Sequence, residues 1–139
     1  MRVVVDTNLL ISGLFWRGNP GQVYEAAVAG EFTLLTTQAL IAEFDRVLHY
    51  TKFEPRLTAL GQTAEQLTEA LRNLAEAVEA ADIPPGAVRD PKDIPVLACA
   101  VGGNADFIVS GDKDLLVLGA YQKIPILSAD LFLKHLASE

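Results

Sequence analysis

The chain contains few cysteine and histidine residues, and this shortage excludes several kinds of site. The single cysteine, Cys99, cannot build a disulfide framework or an all-cysteine metal centre. The two histidines, His49 and His135, argue against a multi-histidine zinc site. Any metal ligands would therefore be mainly oxygen atoms of acidic and polar side chains.

Long apolar runs and a surplus of basic residues are also missing. No uninterrupted apolar run approaches the ~20 residues that a membrane span needs. Met1 and Arg2 lead directly into a strand-like run rather than into an export signal, so we expect a cytoplasmic protein with no membrane contact. Eleven basic residues against 18 acidic ones give a net charge of −7, whereas proteins that bind nucleic acid by charge alone are usually basic. A polyanionic substrate would need bound cations or a local basic patch; otherwise the acidic excess serves only solubility.

The apolar residues that are present predict a single α/β domain over residues 1–139. Half of the 139 residues are hydrophobic, which is enough for one ordinary core. Short continuous apolar runs predict strands that are covered on both faces, at Arg2–Val5, Phe32–Thr36, Phe107–Val109 and Lys123–Leu127. Helical patterns lie between or after these runs, at Leu9–Phe15, Gln22–Ala29, Thr37–His49, Ala64–Ala81, Asp93–Val101 and Ser128–His135. This alternation predicts a mainly parallel sheet.

Four acidic residues are placed where the predicted elements would bring them to one edge of that sheet. Asp6 follows the first strand directly, and Asp112 comes three residues after the strand that ends at Val109. Asp93 begins an apolar helix, and Glu43 lies about two turns into another helix. Since ligands of open α/β sheets bind beyond the carboxyl ends of the strands, we expect these carboxylates to converge there.

Converging carboxylates need protonation or a cation, because two like charges ~4 Å apart repel by about 4 kcal/mol at an effective dielectric of ~20. Oxygen ligands without a histidine or cysteine cluster favour Mg²⁺ or Mn²⁺ over zinc. Taken singly, each acid has a simpler explanation as a turn residue, a helix cap or an exposed position, and Asp90 competes with Asp93 as a cap. Their joint placement favours one site.

Four blocks of the sequence resemble a PIN domain over essentially the whole chain. They are Val3-Val4-Val5-Asp6-Thr7-Asn8, the helix that carries Glu43, Arg89-Asp90-Pro91-Lys92-Asp93 with the Ile-Pro-Val-Leu-Ala that follows, and Ile108-Val109-Ser110-Gly111-Asp112-Lys113-Asp114-Leu115-Leu116. More narrowly, the chain is similar to the VapC-like toxin components of toxin–antitoxin pairs. The resemblance implies a three-layer α/β/α fold with a central, mainly parallel sheet.

The resemblance also implies the roles of individual residues. The acidic quartet that would hold Mg²⁺ or Mn²⁺ and carry catalysis is matched by Asp6, Glu43, Asp93 and Asp112. Polar residues that steady the carboxylates or a bound water are matched by Asn8 and Ser110. Two further acids, Asp90 and Asp114, lie near the motif in a supporting position.

The function implied is metal-dependent hydrolysis of RNA phosphodiester bonds by the toxin of a toxin–antitoxin pair. An antitoxin protein and a second copy of the chain, in a homodimer, are the partners that the resemblance implies beside the RNA substrate. Four cations could contact the RNA backbone: Arg17, Lys52, Lys92 and Lys113. The alternative is a catalytically inactive PIN-like module that acts through protein or RNA contacts.

Two other α/β classes fit the sequence less well, and one aromatic residue is left open. A phosphorelay receiver usually has paired acids after its first strand, where this chain has Asp6-Thr7-Asn8. A dinucleotide-binding domain would show G-x-G-x-x-G at the same place, which is absent. Trp16 could pack internally or serve a partner surface.

Overall fold

The computed structural model describes residues 1–139, and its centre is a six-stranded sheet in the order β3-β2-β1-β4-β6-β5. The strands are β1 (Arg2–Val5), β2 (Thr33–Thr36), β3 (Glu76–Ala77), β4 (Phe107–Val109), β5 (Ala120–Tyr121) and β6 (Ile124–Leu127). Every pairing is parallel except that of β5 with β6. The predicted mainly parallel sheet is therefore confirmed.

Eight α-helices cover the two faces of the sheet. They are α1 (Thr7–Phe15), α2 (Asn19–Val28), α3 (Gln38–Leu48), α4 (Glu54–Leu60), α5 (Ala64–Leu74), α6 (Ile94–Gly102), α7 (Lys113–Leu118) and α8 (Ala129–Ala137). Short 3₁₀ turns precede two of them, Thr51–Phe53 before α4 and Pro91–Asp93 before α6. None of the helices is both long and apolar enough to cross a membrane.

The alternation of side chains along β1 divides the core into two parts. Val3 and Val5 belong to a cluster of 21 buried residues that packs α1, α2, α3, α5 and α8 on one face. Val4, which points the opposite way, belongs to a cluster of 12 buried residues that includes α6 and α7. Because apolar side chains leave β1 on both faces, the strand is sandwiched between helices, and the three-layer α/β/α fold is confirmed.

The structure departs from the sequence prediction mainly between residues 64 and 83. The helix predicted to reach Ala81 ends at Leu74, and the chain then forms β3. The edge of β2 supplies backbone partners there, since the Val78 N–H donates to the Thr36 carbonyl at 2.8 Å. Hydrogen bonds from a neighbouring strand thus override a strong local helix propensity.

Candidate active site

The four predicted acids line one cleft at the carboxyl edge of the sheet. Asp6 caps α1 directly after β1, and Asp112 caps α7 just after β4. Glu43 lies on α3, which follows β2, and Asp93 lies at the start of α6. The cleft has a volume of about 510 Å³ and is lined by Asp6, Thr7, Asn8, Glu43, Arg46, Val47, Tyr50, Lys52, Phe53, Asp90, Lys92, Asp93, Pro95, Val96 and Asp112.

Asp6 is a buried carboxylate held by two donors. The Leu9 N–H donates to Oδ1 at 2.9 Å, and the Ser110 hydroxyl donates to Oδ2. Burial raises the pKa of Asp6 above its ordinary value, and repulsion from Asp112 and Glu43 acts in the same direction against these hydrogen bonds. Asp6 is therefore fixed in position, at a cost that a nearby positive charge would reduce.

Ser110 links Asp6 to Asp112. While its hydroxyl donates to Asp6, its Oγ accepts the Asp112 backbone N–H at 2.9 Å. Asp112 in turn uses Oδ1 to cap α7, accepting the N–H groups of Asp114 and Leu115 at 2.8 and 3.3 Å. This capping matches the simpler reading of Asp112 as a turn residue, yet it occupies only one of the two carboxylate oxygens.

Asp93 is also buried, but its Oδ2, unlike the carboxylate oxygens of Asp6, has no hydrogen-bond partner. It occupies the N-cap position of α6 but makes no capping hydrogen bond, whereas Asp90 accepts the Lys92 N–H at 3.0 Å. Burial, followed by repulsion from Asp112 and Asp90, raises the pKa of Asp93 to about 7. A buried carboxylate oxygen without a donor is uncommon and calls for an explanation such as an ion.

The remaining predicted residues are placed less uniformly. Glu43 is half-buried on the cleft wall, and Asn8 is exposed at the cleft without a side-chain hydrogen bond to any of the acids. Asp114 does not line the cleft, and its Oδ1 lies 4.0 Å from Nη1 of Arg89. Its carboxylate nevertheless groups with Asp90 and Asp93, whose ligand oxygens lie within 4.8 Å of one another. Ser110 contacts an acid directly, and Asn8 does not.

Among the residues of the cleft wall that were not predicted, Arg46, Tyr50 and Phe53 carry a positive charge or an aromatic ring. Arg46 donates from Nη1 to the Tyr50 hydroxyl at 2.8 Å, which places a basic and an aromatic side chain beside the acids. The spacing from Glu43 carried a signal for Arg46, since residues three positions apart on a helix share a face, whereas Tyr50 lies beyond the end of α3. Of the four cations predicted to contact RNA, Lys52 and Lys92 line the cleft, whereas Arg17 and Lys113 do not.

The residues present fit a divalent cation. Carboxylates from four separate elements line the cleft, the ligand oxygens of Asp93, Asp90 and Asp114 lie within 4.8 Å of one another, and the buried Asp93 Oδ2 lacks any donor from the protein. Hard oxygen donors of this kind suit Mg²⁺ or Mn²⁺. A bound cation would compensate the missing partner of Asp93, and it would offset the burial and, to a smaller extent, the mutual repulsion that raise the pKa of Asp6 and Asp93.

Comparison with known proteins agrees with this architecture. A crystal structure of PAE2754 from Pyrobaculum aerophilum superposes with a TM-score of 0.61 at 15% identity, covering 100% of this chain and 91% of that chain. A search of curated protein sequences finds no match. The profile described as PIN domain matches residues 2–114. This chain therefore belongs to the PIN domain family, whose fold is of the nuclease type and whose acidic residues usually bind a divalent metal.

Proposed function

We propose that this chain is an Mg²⁺- or Mn²⁺-dependent endoribonuclease and acts as the toxin of a toxin–antitoxin pair. The observation that carries the nuclease proposal is the buried Asp93 Oδ2, which lacks a donor in a cleft shared with Asp6, Glu43 and Asp112. The toxin role, an antitoxin partner and a homodimer rest on the resemblance to VapC-like toxins.

The cation would be held by Asp6 and Asp93, with Asp112 and Glu43 completing the site directly or through water. A bound divalent cation supplies positive charge to a phosphodiester and lowers the pKa of an attacking water. The protein prepares this site by holding Asp6 between the Leu9 N–H and the Ser110 hydroxyl. Such advance positioning means that little reorganisation is needed when substrate arrives.

The charge balance also becomes consistent with an RNA substrate. Although the whole chain carries −7, the cleft walls hold Arg46, Lys52 and Lys92. These side chains can contact phosphates on either side of the reacting bond, while the acids would hold the cation beside the reacting phosphate. A local group of positive charges therefore meets the polyanion, and the overall acidity does not exclude it.

The test is cleavage of end-labelled single-stranded RNA by the purified chain with Mn²⁺, with and without chelator. We expect cleavage by wild type, none in chelator, and none by Asp6→Asn or Asp93→Asn. Asp82→Asn is the matched control, because Asp82 is exposed and lies outside the cleft. Equal survival of the RNA with wild type and all variants would favour the inactive binding module instead.

The toxin role needs a separate measurement in cells. Expression of the wild-type chain should arrest bacterial growth, whereas the Asp93→Asn variant, at equal expression, should not. Growth arrest by both proteins would dissociate toxicity from the acidic cleft. Normal growth with an active wild-type nuclease would leave an RNA-cleaving enzyme without a toxin role.

A further inference from the structure

An aromatic and cationic cluster lies at the end of α1 and the start of α4. We call it the Trp16 platform and define it as Phe15, Trp16, Phe53 and Arg56. The Phe15 and Phe53 rings stack with centroids 5.4 Å apart, and Trp16 meets them edgewise at 5.8 and 6.5 Å. The Arg56 guanidinium lies 4.6 Å from the Trp16 ring centroid. Trp16 remains 43% exposed, so this packing leaves much of the indole open.

The platform is continuous with the acidic cleft through Phe53. The Phe53 ring contacts both Phe15 and Trp16, and it also lines the cleft beside Tyr50 and Lys52. On the other side, Phe15 and Trp16 line a groove of about 600 Å³. The platform therefore adjoins the cleft, and a chain bound in the cleft would pass close to it.

Positive charge that is not neutralised by an ion pair collects along this path. Four of the 11 Lys and Arg side chains form ion pairs, and these are Arg2, Arg72, Arg89 and Lys134. Among the other seven, Arg46, Lys52 and Lys92 line the cleft, Arg17 lines the groove, and Arg56 belongs to the platform. In a chain of net charge −7, five of the seven cations without an ion pair therefore lie along the cleft, the groove and the platform.

We propose that the Trp16 platform binds unpaired bases of RNA that flank the reacting phosphate. A base would stack on Trp16 and on the outer plane of Arg56, while Arg17 and Lys52 contact the adjoining phosphates. Aromatic rings and guanidinium planes are the usual stacking surfaces for splayed bases, and duplex RNA does not expose these base faces. The position of the platform beside the cleft makes it a positioning surface. Its assignment to RNA rests on the proposed function.

The binding test uses the fluorescence of Trp16, which is the only tryptophan in the chain. A 12-nucleotide uridine RNA is titrated at low salt, with chelator and then with Mg²⁺. We expect saturable quenching, affinity lower by about tenfold in Arg56→Ala, and weaker quenching by a 12-base-pair RNA duplex. Lys123→Ala is the matched control, because Lys123 is exposed, forms no ion pair and does not line the cleft or groove.

Three outcomes of this titration would overturn the proposal. These are no quenching under either condition, equal affinity of Arg56→Ala and Lys123→Ala, or equal quenching by duplex RNA. Since Arg56 is exposed, Arg56→Ala is not expected to disturb folding. If Trp16→Ala instead dissociates an assembly of two protein chains in light scattering and leaves RNA affinity unchanged, measured for this variant by the fluorescence anisotropy of end-labelled RNA, the platform is a protein-binding surface.

A kinetic test separates this inference from the nuclease proposal. Bis(p-nitrophenyl) phosphate is a diester without bases and reaches only the cleft, whereas the 12-nucleotide RNA reaches both regions. We expect Arg56→Ala to raise KM for RNA about tenfold with little change in kcat, and to leave hydrolysis of the small diester unchanged. Trp16→Phe should keep most of the affinity. If wild type cleaves neither substrate, the nuclease proposal fails, and the fluorescence titration still decides whether the platform binds bases.

Discussion

Asp6 and Asp93 line the same cleft and are equally buried, each with 8% of its surface exposed, but their carboxylates differ in hydrogen bonding. Asp6 receives hydrogen bonds from the Leu9 N–H and the Ser110 hydroxyl. Asp93 keeps one buried oxygen without any donor. The protein therefore satisfies the Asp6 carboxylate with its own donors, whereas the Asp93 carboxylate needs a positive charge that the protein does not supply.

The local sequence explains this difference. Asp6 leads directly into α1, so its carboxylate can accept a first-turn N–H in the ordinary manner of an N-cap. Asp93 precedes α6, where Pro95 stands in the first turn and has no N–H to offer. Asp90, three residues earlier, accepts the Lys92 N–H instead. A proline in the first turn of α6 thus helps to leave a carboxylate oxygen available to a ligand.

The largest expected effect comes from neutralising either acid, and stability should then distinguish them. Asp6→Asn and Asp93→Asn should each reduce kcat/KM for RNA more than about 100-fold, beyond the range expected for loss of a residue that only supports a metal ligand. In chelator at neutral pH, Asp93→Asn should raise Tm, because it removes an uncompensated buried charge. Asp6→Asn should lower Tm, because an amide replaces one of two acceptor oxygens. Equal Tm changes in thermal denaturation would contradict the comparison.

Cation binding should stabilise the folded chain, and this stabilisation should depend on the Asp93 carboxylate. At Mn²⁺ concentrations about 100 times Kd, the free energy of unfolding should rise by about 2.7 kcal/mol. Urea unfolding with Mn²⁺ and with chelator measures this difference, and Asp93→Asn should lose most of it. Asp82→Asn should retain it. An identical unfolding midpoint of wild type in the two buffers would argue against a cation site.

The hydrogen bonding that holds Asp6 can be weakened without removing a carboxylate. Ser110→Ala deletes the hydroxyl that donates to Asp6 and accepts the Asp112 N–H. We expect Mn²⁺ affinity to fall by about 10- to 100-fold, as is usual when a residue that orients a ligand is lost. Calorimetric titration measures the affinity, with Ser138→Ala as a control because Ser138 is exposed at the end of α8. Unchanged affinity would mean that Asp6 needs no support from Ser110.

The metal-free protein should also show a pH dependence that comes from Asp93. The pKa of Asp93 is raised from 3.8 to about 7 on folding, so between these values the folded state holds a proton that the unfolded state has released. Stability should therefore fall as pH rises from about 4 to about 7. Thermal denaturation in chelator should show Tm decreasing over this range, more weakly in Asp93→Asn. A wild-type Tm that rises in parallel with that of the variant would contradict the assigned shift.

Much of the site was predictable, because acids that directly follow the buried strands of a parallel sheet lie at its carboxyl edge. Asp6 and Asp112 follow buried strands, and β1 and β4 pair directly, so their ends lie together. Arg46 could have been found from its helical spacing to Glu43, whereas Tyr50 lies beyond the end of α3. The short strand β3 could not have been predicted in this way, because Glu76 and Ala77 are good helix formers. They become extended only because they pair with the edge of β2.

The sequence by itself determined the α/β order of the elements and the convergence of Asp6, Glu43, Asp93 and Asp112, because strand runs, helical periodicity and parallel pairing act locally and repeat. Only the tertiary structure decided that Ser110 completes Asp6 and that Asp93 keeps an oxygen without a donor. The meeting of Trp16 with Arg56 was decided in the same way. These outcomes depend on atoms from residues far apart in the chain, and no local spacing specifies which of them come within hydrogen-bonding or stacking distance.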